Sequence, residues 1–224
     1  MTEVADRVYQ IPLFPRSGIN AYLVDGVMVD AGICSSGSRI LNAVKGHEVH
    51  AHVLTHAHPD HQGSSAELCD TLDIPLWCGA ADRRAAETGA VTESYPNPSR
   101  LIPWLQRRYW AGPGYPVSRT LTEGELFGEF RVIETPGHSP GHIALWRERD
   151  RVLIAGDVLV NMNLLTTVPG VGEPPGIFTG NADENRRSIK KLADLRPRLV
   201  CVGHGPPITE TDALFNLADS LRPH

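Results

Sequence analysis

The sequence predicts an α/β (α+β) protein in which two β-sheets pack face to face and helices cover their outer surfaces. Three observations favour this fold. Two β-rich halves follow one another along the 224-residue chain, each half ends in helical segments, and the side chains best suited to bind a metal stand directly after strands. A chain of this length can build one large domain, and we expect residues 1–224 to form a single domain.

The first half begins with a predicted hairpin. Asp25 and Gly26 separate two apolar runs, and both residues tolerate the positive φ of a tight hairpin turn. Short β-rich runs then alternate with apolar residues at helical spacing. We predict strands at residues 21–24, 27–30, 51–55 and 74–78. We predict helices at residues 38–44 and 64–72.

The second half repeats this alternation. Asn181 and Glu184 have the spacing of a capping pair at the start of a helix. The helix after them would bury Ile189, Leu192 and Leu195. A final helix carries apolar residues at helical spacing, namely Leu214, Leu217, Ala218 and Leu221. The predicted strands of this half are residues 130–134, 143–146, 152–155 and 199–202.

Two inserted segments, at about 92–119 and 159–180, interrupt the alternation. The first is rich in proline and aromatic residues, and the second in glycine, proline, leucine and methionine. Long irregular segments inside a domain are often binding loops or lids. We expect them to shape substrate choice, with Trp110, Leu164 and Leu165 in contact with the substrate. The alternative is that they cover the core or an oligomer interface.

The composition is that of an ordinary globular protein, with 41% hydrophobic and 21% charged residues. A formal net charge of −5 gives no basic surface for nucleic acid. The N-terminal residues do not resemble a secretory signal, and no apolar run approaches the roughly 18 residues of a membrane helix. We therefore expect a cytoplasmic protein that binds neither nucleic acid nor membrane. The cysteines lack CxxC spacing and are expected to be reduced and buried: Cys34, Cys69, Cys78 and Cys201.

The strongest functional signal is a cluster of histidines and one aspartate just after the strand predicted at 51–55. Four potential metal ligands lie within six residues: His56, His58, Asp60 and His61. Side chains two apart diverge in extended backbone, so the loop must curl for His56 and His58 to bind one ion. Pro59 helps to fix such a curl, and Asp60 and His61 then point towards a second ion. Imidazole with carboxylate suits zinc, iron or manganese.

Three further candidate ligands stand at the ends of later strands. His138 follows the strand at 130–134, Asp157 follows 152–155, and His204 follows 199–202. Each has glycine or proline beside it. Because loops at strand ends converge in space, ligands far apart in sequence can meet there.

With these residues the chain resembles the metallo-β-lactamase superfamily. The H-x-H-x-D-H run at 56–61 matches the central motif of that family, and Asp30, His138, Asp157 and His204 match its other landmarks in order. The resemblance covers essentially the whole chain. It implies a four-layered αββα sandwich with the site at one edge.

The resemblance also implies a role for each residue. One metal ion would be bound by His56, His58 and His138. A second ion would be bound by Asp60, His61 and His204, and Asp157 would bridge the two ions. Asp30 would orient the histidine loop. His142 matches a histidine that many relatives carry and that is not a ligand; it either supports the ligands or packs in the core.

Other features are assigned to ordinary structure. Residues 137–141 fit the G-x-S-x-G elbow of serine hydrolases, but that elbow needs a helix directly afterwards, and residues 143–146 are a predicted strand. The remaining histidines match no motif and are expected at the surface: His47, His50, His52 and His224.

These residues predict a hydrolase with two divalent ions, most simply zinc. Two ions bring four positive charges, and Asp60, Asp157 and a bridging hydroxide remove three of them. The remaining positive charge suits an ester-like carbonyl. Metals lower the pKa of bound water towards about 7, which supplies the attacking hydroxide at neutral pH. Asp60 is also placed to relay a proton.

The resemblance narrows the substrate to a small ester, thioester or lactone. Secreted β-lactamases of the family often carry cysteine where this chain has Asp157, which disfavours an antibiotic as the substrate. Glyoxalase II adds a helical C-terminal domain, and nuclease branches carry extra domains, and we expect neither feature here. The inserted segments would suit an apolar acyl group. Two alternatives remain: an oxidoreductase similar to the persulfide dioxygenases, with one iron at the first site, and a non-catalytic binding protein on the same scaffold. Metal content distinguishes the first of these.

Overall fold

Two β-sheets lie face to face in the computed structural model, which describes residues 1–164 and 166–221. The first sheet has seven strands in chain order, antiparallel from β1 to β4 and parallel from β4 to β7. Its strands are β1 (Thr2–Ala5), β2 (Val8–Pro12), β3 (Asn20–Val24), β4 (Val27–Val29), β5 (Ala51–Val53), β6 (Leu76–Gly79) and β7 (Val117–Leu121).

The second sheet has five strands in the order β12-β11-β10-β9-β8. Strands β8 to β11 are antiparallel to their neighbours, and β12 joins β11 in parallel. Its strands are β8 (Leu126–Phe127), β9 (Phe130–Glu134), β10 (Ile143–Arg147), β11 (Val152–Gly156) and β12 (Leu199–Val202).

Helices connect the strands and cover the outer faces. They are α1 (Gly37–Ala43), α2 (Pro59–Gln62), α3 (Ser65–Leu72), α4 (Arg83–Thr88), α5 (Leu101–Tyr109), α6 (Ala182–Asp194) and α7 (Asp212–Ser220). Over the described ranges, no helix combines the length and the apolar character that crossing a membrane requires.

The buried side chains divide into clusters that define four layers. One cluster lies between the sheets and includes Val29 and Val53 of the first sheet and Leu145 and Ile154 of the second. The outer face of the second sheet packs on α6 and α7, and that of the first sheet packs on α1, α3 and α4. The two-sheet sandwich with outer helices is therefore confirmed, because each sheet buries apolar side chains on both faces.

The hairpin and the helix cap follow the sequence prediction closely. Asp25 and Gly26 both have positive φ, 48° and 77°, and join β3 to β4. At the start of α6, the Asn181 side chain accepts a hydrogen bond from the Glu184 backbone N–H at 3.1 Å. The strands predicted at 130–134 and 199–202 match β9 and β12 residue for residue.

The segment at 92–119 differs from the irregular loop that its composition predicts. It contains helix α5, and its last residues begin β7, an edge strand of the first sheet. Proline usually disfavours a helix, but Pro103 lies in the first turn of α5. Backbone N–H groups in a first turn have no helical partner, so the N–H that proline lacks is not missed there. Over its described residues, the segment at 159–180 is largely irregular, with one bridge between Val160 and Gly172.

Two expectations about single residue types are wrong. His52 is fully buried, because its Nδ1 pairs with the Met28 carbonyl at 3.1 Å and its Nε2 with Ser65 Oγ at 2.8 Å. Cys34 is exposed, and its thiol donates to the Tyr109 carbonyl. The other expectations agree with the structure: His47 and His50 are exposed, and Cys69, Cys78 and Cys201 are buried free thiols. His224 lies outside the described residues.

Candidate metal centre

The predicted ligands meet at one edge of the sandwich. The loops that carry them follow the C-terminal ends of β5, β9, β11 and β12. In the second sheet, β9 and β12 run in the same direction as β11, so their C-terminal ends lie at the same edge. The sheet geometry thus gathers residues that lie almost 150 positions apart in the chain.

Three histidines form the first donor set. His56, His58 and His138 are buried, and each offers a ring nitrogen within 4.8 Å of the others. The rings of His56 and His58 lie 4.5 Å apart and nearly perpendicular, at 83°. The curl that the sequence predicts is provided by α2, which begins at Pro59 and has His58 at its N-cap. Proline at the first helical position has a φ already suited to the helix.

Asp60, His61 and His204 form the second donor set, again within 4.8 Å of one another and buried. Asp60 and His61 lie on α2, directly after His58. The His61 ring lies 4.1 Å from that of His56, so the two sets adjoin, and His56, His61 and Asp157 also form a group within 4.8 Å. His204 Nε2 lies 3.3 Å from Asp60 Oδ2.

Asp157 lies between the two sets. Its Oδ2 is 2.9 Å from His204 Nε2, 3.4 Å from His61 Nε2 and 3.7 Å from His138 Nε2. Gly203 makes room for this carboxylate, since a β-carbon there would collide with Asp157 Oδ1. One carboxylate is thus within reach of ligands from both sets.

Each of the five histidines in the two donor sets forms a hydrogen bond to another residue through one ring nitrogen. The partners are Thr55 Oγ1 for His56 (3.0 Å), Ser94 Oγ for His58 (3.0 Å), Asp30 Oδ2 for His61 (2.9 Å), Thr179 Oγ1 for His138 (3.2 Å) and the Gly18 carbonyl for His204 (2.6 Å). The second nitrogen of each ring remains for the centre. A hydrogen bond of this kind fixes the ring orientation and the tautomer of a metal-binding histidine.

The buried atoms that lack a partner fit a metal ion. His56 Nε2, His61 Nε2 and Asp157 Oδ1 are buried and accept or donate no hydrogen bond within the described residues. Buried polar atoms are nearly always paired, so several unpaired atoms in one cluster need an explanation. Imidazole and carboxylate donors suit zinc, iron or manganese, and the residues present therefore fit the metal ions that the family implies.

Asp30 lies where the sequence predicts an orienting residue. Its carboxylate accepts hydrogen bonds from the Thr55 backbone N–H, the Thr55 hydroxyl and His61 Nδ1, at 2.8, 2.8 and 2.9 Å. Asp30 has a φ of 61°, a left-handed conformation that aspartate adopts more readily than most residues. It therefore connects the end of β4 to the histidine loop.

His142 contacts the ligands as well as the core. Its Nδ1 pairs with Thr135 Oγ1 at 2.8 Å, and its Nε2 accepts a hydrogen bond from the Asp157 backbone N–H at 3.1 Å. Its ring stacks on His56 with centroids 4.9 Å apart. It therefore supports Asp157 through its backbone and His56 through its ring.

The three histidines of the first set are held neutral. Burial, and then the neighbouring histidines, lower the pKa values of His56 and His58 well below 6.5. Burial also lowers the pKa of His138 to about 4, although the nearby Asp157 opposes the shift. Neutral imidazole is the form that binds a metal, so this set is ready at neutral pH.

In the second set, by contrast, the two histidines are protonated at neutral pH. Burial would lower the pKa values of His61 and His204, but neighbouring carboxylates raise that of His61 well above 6.5 and that of His204 to about 10. Burial would raise the pKa of Asp60, but the hydrogen bond and charge of His204, with His61, lower it to about 2. The same histidines lower the pKa of Asp157 well below 3.8. The metal-free centre therefore holds paired charges.

The sequence reasoning missed several residues that touch the ligands. Ser94 and Thr179 bond the ligand histidines, and the edge of the Tyr95 ring meets His58 with centroids 4.6 Å apart. Phe178 lies beside Tyr95 at 5.4 Å. All four belong to the two inserted segments, which therefore reach the centre, although serine and threonine carry no signal that could have identified them.

The predicted substrate contacts stay predictions. Trp110 and Leu164 are half-buried. Leu165 lies outside the described residues. Ser139, the serine of the elbow-like motif, is buried and donates its hydroxyl hydrogen bond to Asp82 at 2.6 Å. Strand β10 follows it where an elbow would need a helix.

Two sets of candidate metal ligands lie on either side of Asp157, at the edge of a two-sheet α/β sandwich with outer helices. The model of the metallo-β-lactamase superfamily matches residues 15–204. The chain belongs to this superfamily.

Curated relatives include hydrolases. "Probable metallo-hydrolase YflN" of Bacillus subtilis (strain 168) is 32% identical over 204 residues, which cover 82% of this chain and 76% of that protein. A hydroxyacylglutathione hydrolase of Halorhodospira halophila (strain DSM 244 / SL1) is 32% identical over 159 residues, which cover 68% of this chain but only 46% of that enzyme.

Solved structures extend the similarity to whole chains. The B3 metallo-β-lactamase BLEG-1 has a TM-score of 0.72 and 29% identity, covering 94% of this chain and 99% of that one. TTHA1623, solved in a di-iron-bound form, has a TM-score of 0.68 and 29% identity, covering 96% of this chain and 99% of that one. Similar folds thus accompany different names, and the reaction must be argued from the site.

Proposed function

We propose that this protein is a hydrolase that uses two divalent metal ions, zinc by preference, to cleave a small ester, thioester or lactone. One observation carries the proposal. Two complete donor sets, His56–His58–His138 and Asp60–His61–His204, lie on either side of Asp157, whose Oδ2 is within 3.7 Å of a nitrogen from each. The completeness of the second set favours two ions over one.

Two bound divalent ions would supply hydroxide at neutral pH and polarise the substrate carbonyl. The chain contributes the charge balance. Asp60 and Asp157 are ionised at neutral pH because their pKa values are lowered, and together they offset two of the four positive charges. The positive charge that remains suits an acyl oxygen that becomes negative during attack. Asp60 is also positioned at the second set to hold a proton transiently.

Tyr95 is the further polar group beside the centre. It is 4% exposed, and burial, with the charges of Asp60 and Asp157, raises the pKa of its hydroxyl well above 10. At neutral pH the hydroxyl therefore stays protonated. It is thus able to donate a hydrogen bond to a bound acyl group.

The apolar surroundings support an acyl substrate. The Tyr95 ring lies next to His58, and the Phe178 ring packs against Tyr95. Apolar walls with a few polar groups suit a small organic molecule. The relative named as a hydroxyacylglutathione hydrolase supports a thioester. The complete second donor set favours this hydrolase over a mononuclear iron oxidoreductase.

The proposal is tested by metal content together with a substrate screen. Protein purified without added metal, and then loaded with zinc, iron or manganese, is assayed on thioesters, lactones, simple esters, phosphodiesters and β-lactams. We expect about two ions per chain and hydrolysis of at least one acyl substrate. A single tightly bound iron with oxygen-dependent turnover of persulfides, and no hydrolysis, would assign the chain to the oxidoreductase alternative.

Phe178 is expected to influence which acyl chain is preferred. Phe178→Ser removes apolar surface beside Tyr95 without touching a ligand, so metal content and folding should persist while kcat/KM for longer acyl chains falls relative to short ones. One such apolar contact typically contributes roughly 1–3 kcal/mol to the discrimination between two substrates. This corresponds to a change of about ten- to a hundredfold in their ratio of kcat/KM. Trp110→Ser and Leu164→Ser are matched polar substitutions in the same two segments. An unchanged chain-length ranking in all three variants would show that these segments are structural.

A further inference from the structure

Asp82 is a buried carboxylate outside the ligand set. It follows β6 at the end of a short 3-10 turn (Ala80–Asp82) and is 3% exposed. Its Oδ2 accepts hydrogen bonds from the Ala57 backbone N–H at 2.9 Å and from the Ser139 hydroxyl at 2.6 Å. Its Oδ1 accepts one from the Gly141 backbone N–H at 2.8 Å. The carboxylate therefore has defined partners on both oxygens.

These partners lie on two different ligand loops. Ala57 is the residue between His56 and His58, and Ser139 directly follows His138. The first loop leaves the first sheet after β5, and the second leaves the other sheet after β9. Asp82 thus joins, through one side chain, the two loops that carry the three-histidine set.

The fit around Asp82 is close. A β-carbon at Gly141 would collide with the Asp82 backbone N and with its side chain, and a β-carbon at Gly79 would collide with the Gly141 carbonyl. Glycine at both positions lets the 138–142 loop approach the end of β6. This approach is what brings the Gly141 N–H within reach of the carboxylate.

We propose that Asp82 is a positioning residue for the three-histidine metal site, which it holds in binding geometry by tying the His56–His58 loop to the His138 loop. The proposal rests on the proposed metal function, but it concerns the site and not the reaction. Asp82 does not touch the donor atoms, since its contacts are with Ala57, Ser139 and Gly141. Groups that orient metal ligands typically change metal affinity or activity by about 10–100-fold when they are removed.

Asparagine at position 82 is an informative substitution. Its amide has one acceptor oxygen, and its NH2 group only donates. If the NH2 takes the place of Oδ2, it faces the Ala57 N–H; if it takes the place of Oδ1, it faces the Gly141 N–H. In the first case the His56–His58 loop loses its hydrogen bond to residue 82; in the second the His138 loop keeps only that from Ser139. Size and shape are kept in both.

The experiment is a stepwise zinc titration against a chromophoric chelator, with the absorption spectrum of the cobalt-loaded protein as a second measurement. His138→Ala first identifies which binding step belongs to the three-histidine set. We expect Asp82→Asn and Asp82→Ala to weaken that same step by about 10–100-fold and to alter the cobalt spectrum, while the other step stays near that of the unsubstituted protein. Ser139→Ala removes one of three hydrogen bonds and should have a smaller effect.

Asp150→Asn is the matched control for lost stability. Asp150 pairs with the buried Arg147 at 2.9 and 2.7 Å, in the turn between β10 and β11, at the opposite ends of these strands from His142 and Asp157. The Asp150→Asn substitution should lower the unfolding temperature and leave both zinc-binding steps unchanged. If Asp82→Ala does not fold, Gly141→Ala, which presses on Asp82 and keeps its carboxylate, should weaken the same step.

Unchanged zinc affinity and cobalt spectrum in folded Asp82 variants would overturn the proposal. Equal weakening of both steps, with a fall in unfolding temperature similar to that of Asp150→Asn, would overturn it as well and leave a purely structural role. An unsubstituted protein that binds two ions but hydrolyses no acyl substrate would refute the proposed function and not the role of Asp82.

Discussion

Asp157→Ala should reduce hydrolysis by orders of magnitude and lower the metal content from two ions to one or fewer. The carboxylate is 4% exposed and lies within 3.7 Å of His138, His61 and His204. Without it, two cations would face each other with little screening in a buried site, where like charges repel strongly. Metal analysis of the purified variant, with kcat measured on the best substrate of the screen, checks this expectation.

Asp157→Asn is the companion variant, because it keeps the volume of the side chain and removes its charge. We expect it to lose the second ion less completely than the alanine variant and still to lose most activity. Two ions per chain and near-normal turnover in Asp157→Ala would show that Asp157 does not connect the two donor sets.

Removal of the metal is expected to have the second large effect. Stripping the protein with a chelator should abolish hydrolysis and lower the unfolding temperature, since an ion that binds only the folded chain stabilises it in proportion to RT ln(1 + [L]/Kd). Reloading with zinc should restore both. The measurement is activity and thermal unfolding before and after dialysis against the chelator.

The stability of the metal-free protein should be greatest near pH 6.5. His56, His58 and His138 have lowered pKa values, about 4 for His138, so between about 4 and 6.5 the unfolded chain binds more protons and stability falls as the pH drops. His61 and His204 have raised pKa values, about 10 for His204. Above about 6.5 the folded chain holds protons that the unfolded chain releases, so their stabilisation is lost as the pH rises towards 10.

Zinc should remove the alkaline half of this profile, because bound ligands are deprotonated in the folded protein as well. Unfolding temperatures of metal-free and zinc-loaded protein across pH 5–9, a range of roughly two units either side of the ordinary histidine pKa, separate the two curves. A metal-free protein whose stability rises steadily from pH 6.5 to 9 would contradict the charge pairing of His61 and His204 with Asp60 and Asp157.

Much of the fold follows from local patterns. The Asp25–Gly26 turn, the Asn181 cap and the strands β9 and β12 are specified by turn chemistry, side-chain capping and apolar runs that act over a few residues. Helix α5 does not follow from such patterns. Its apolar residues Leu101, Ile102 and Trp104 are exposed, and the residues it buries are Pro103 and Gln106, so no apolar helical period marks it in the sequence.

The donor atoms of the candidate site are likewise readable in the sequence. Metals require particular side chains. Few structures other than a metal site need so many candidate ligands within six residues as His56, His58, Asp60 and His61. His138, Asp157 and His204 follow strands whose ends meet at one edge, as the sheets confirm. Residue type and position after a strand were therefore enough to identify seven candidate ligands.

Only the tertiary structure decided what holds those ligands. Ser94, Thr179 and the Gly18 carbonyl bond histidines that are 36, 41 and 186 residues away, and Asp82 reaches Ser139 across 57 residues. A hydroxyl, a backbone carbonyl or a lone aspartate is an ordinary polar group in sequence, and it becomes a partner only when packing sets two loops within about 3 Å. The sequence by itself thus determined which groups are candidate metal ligands, while the packing of distant loops determined their orientation and charge.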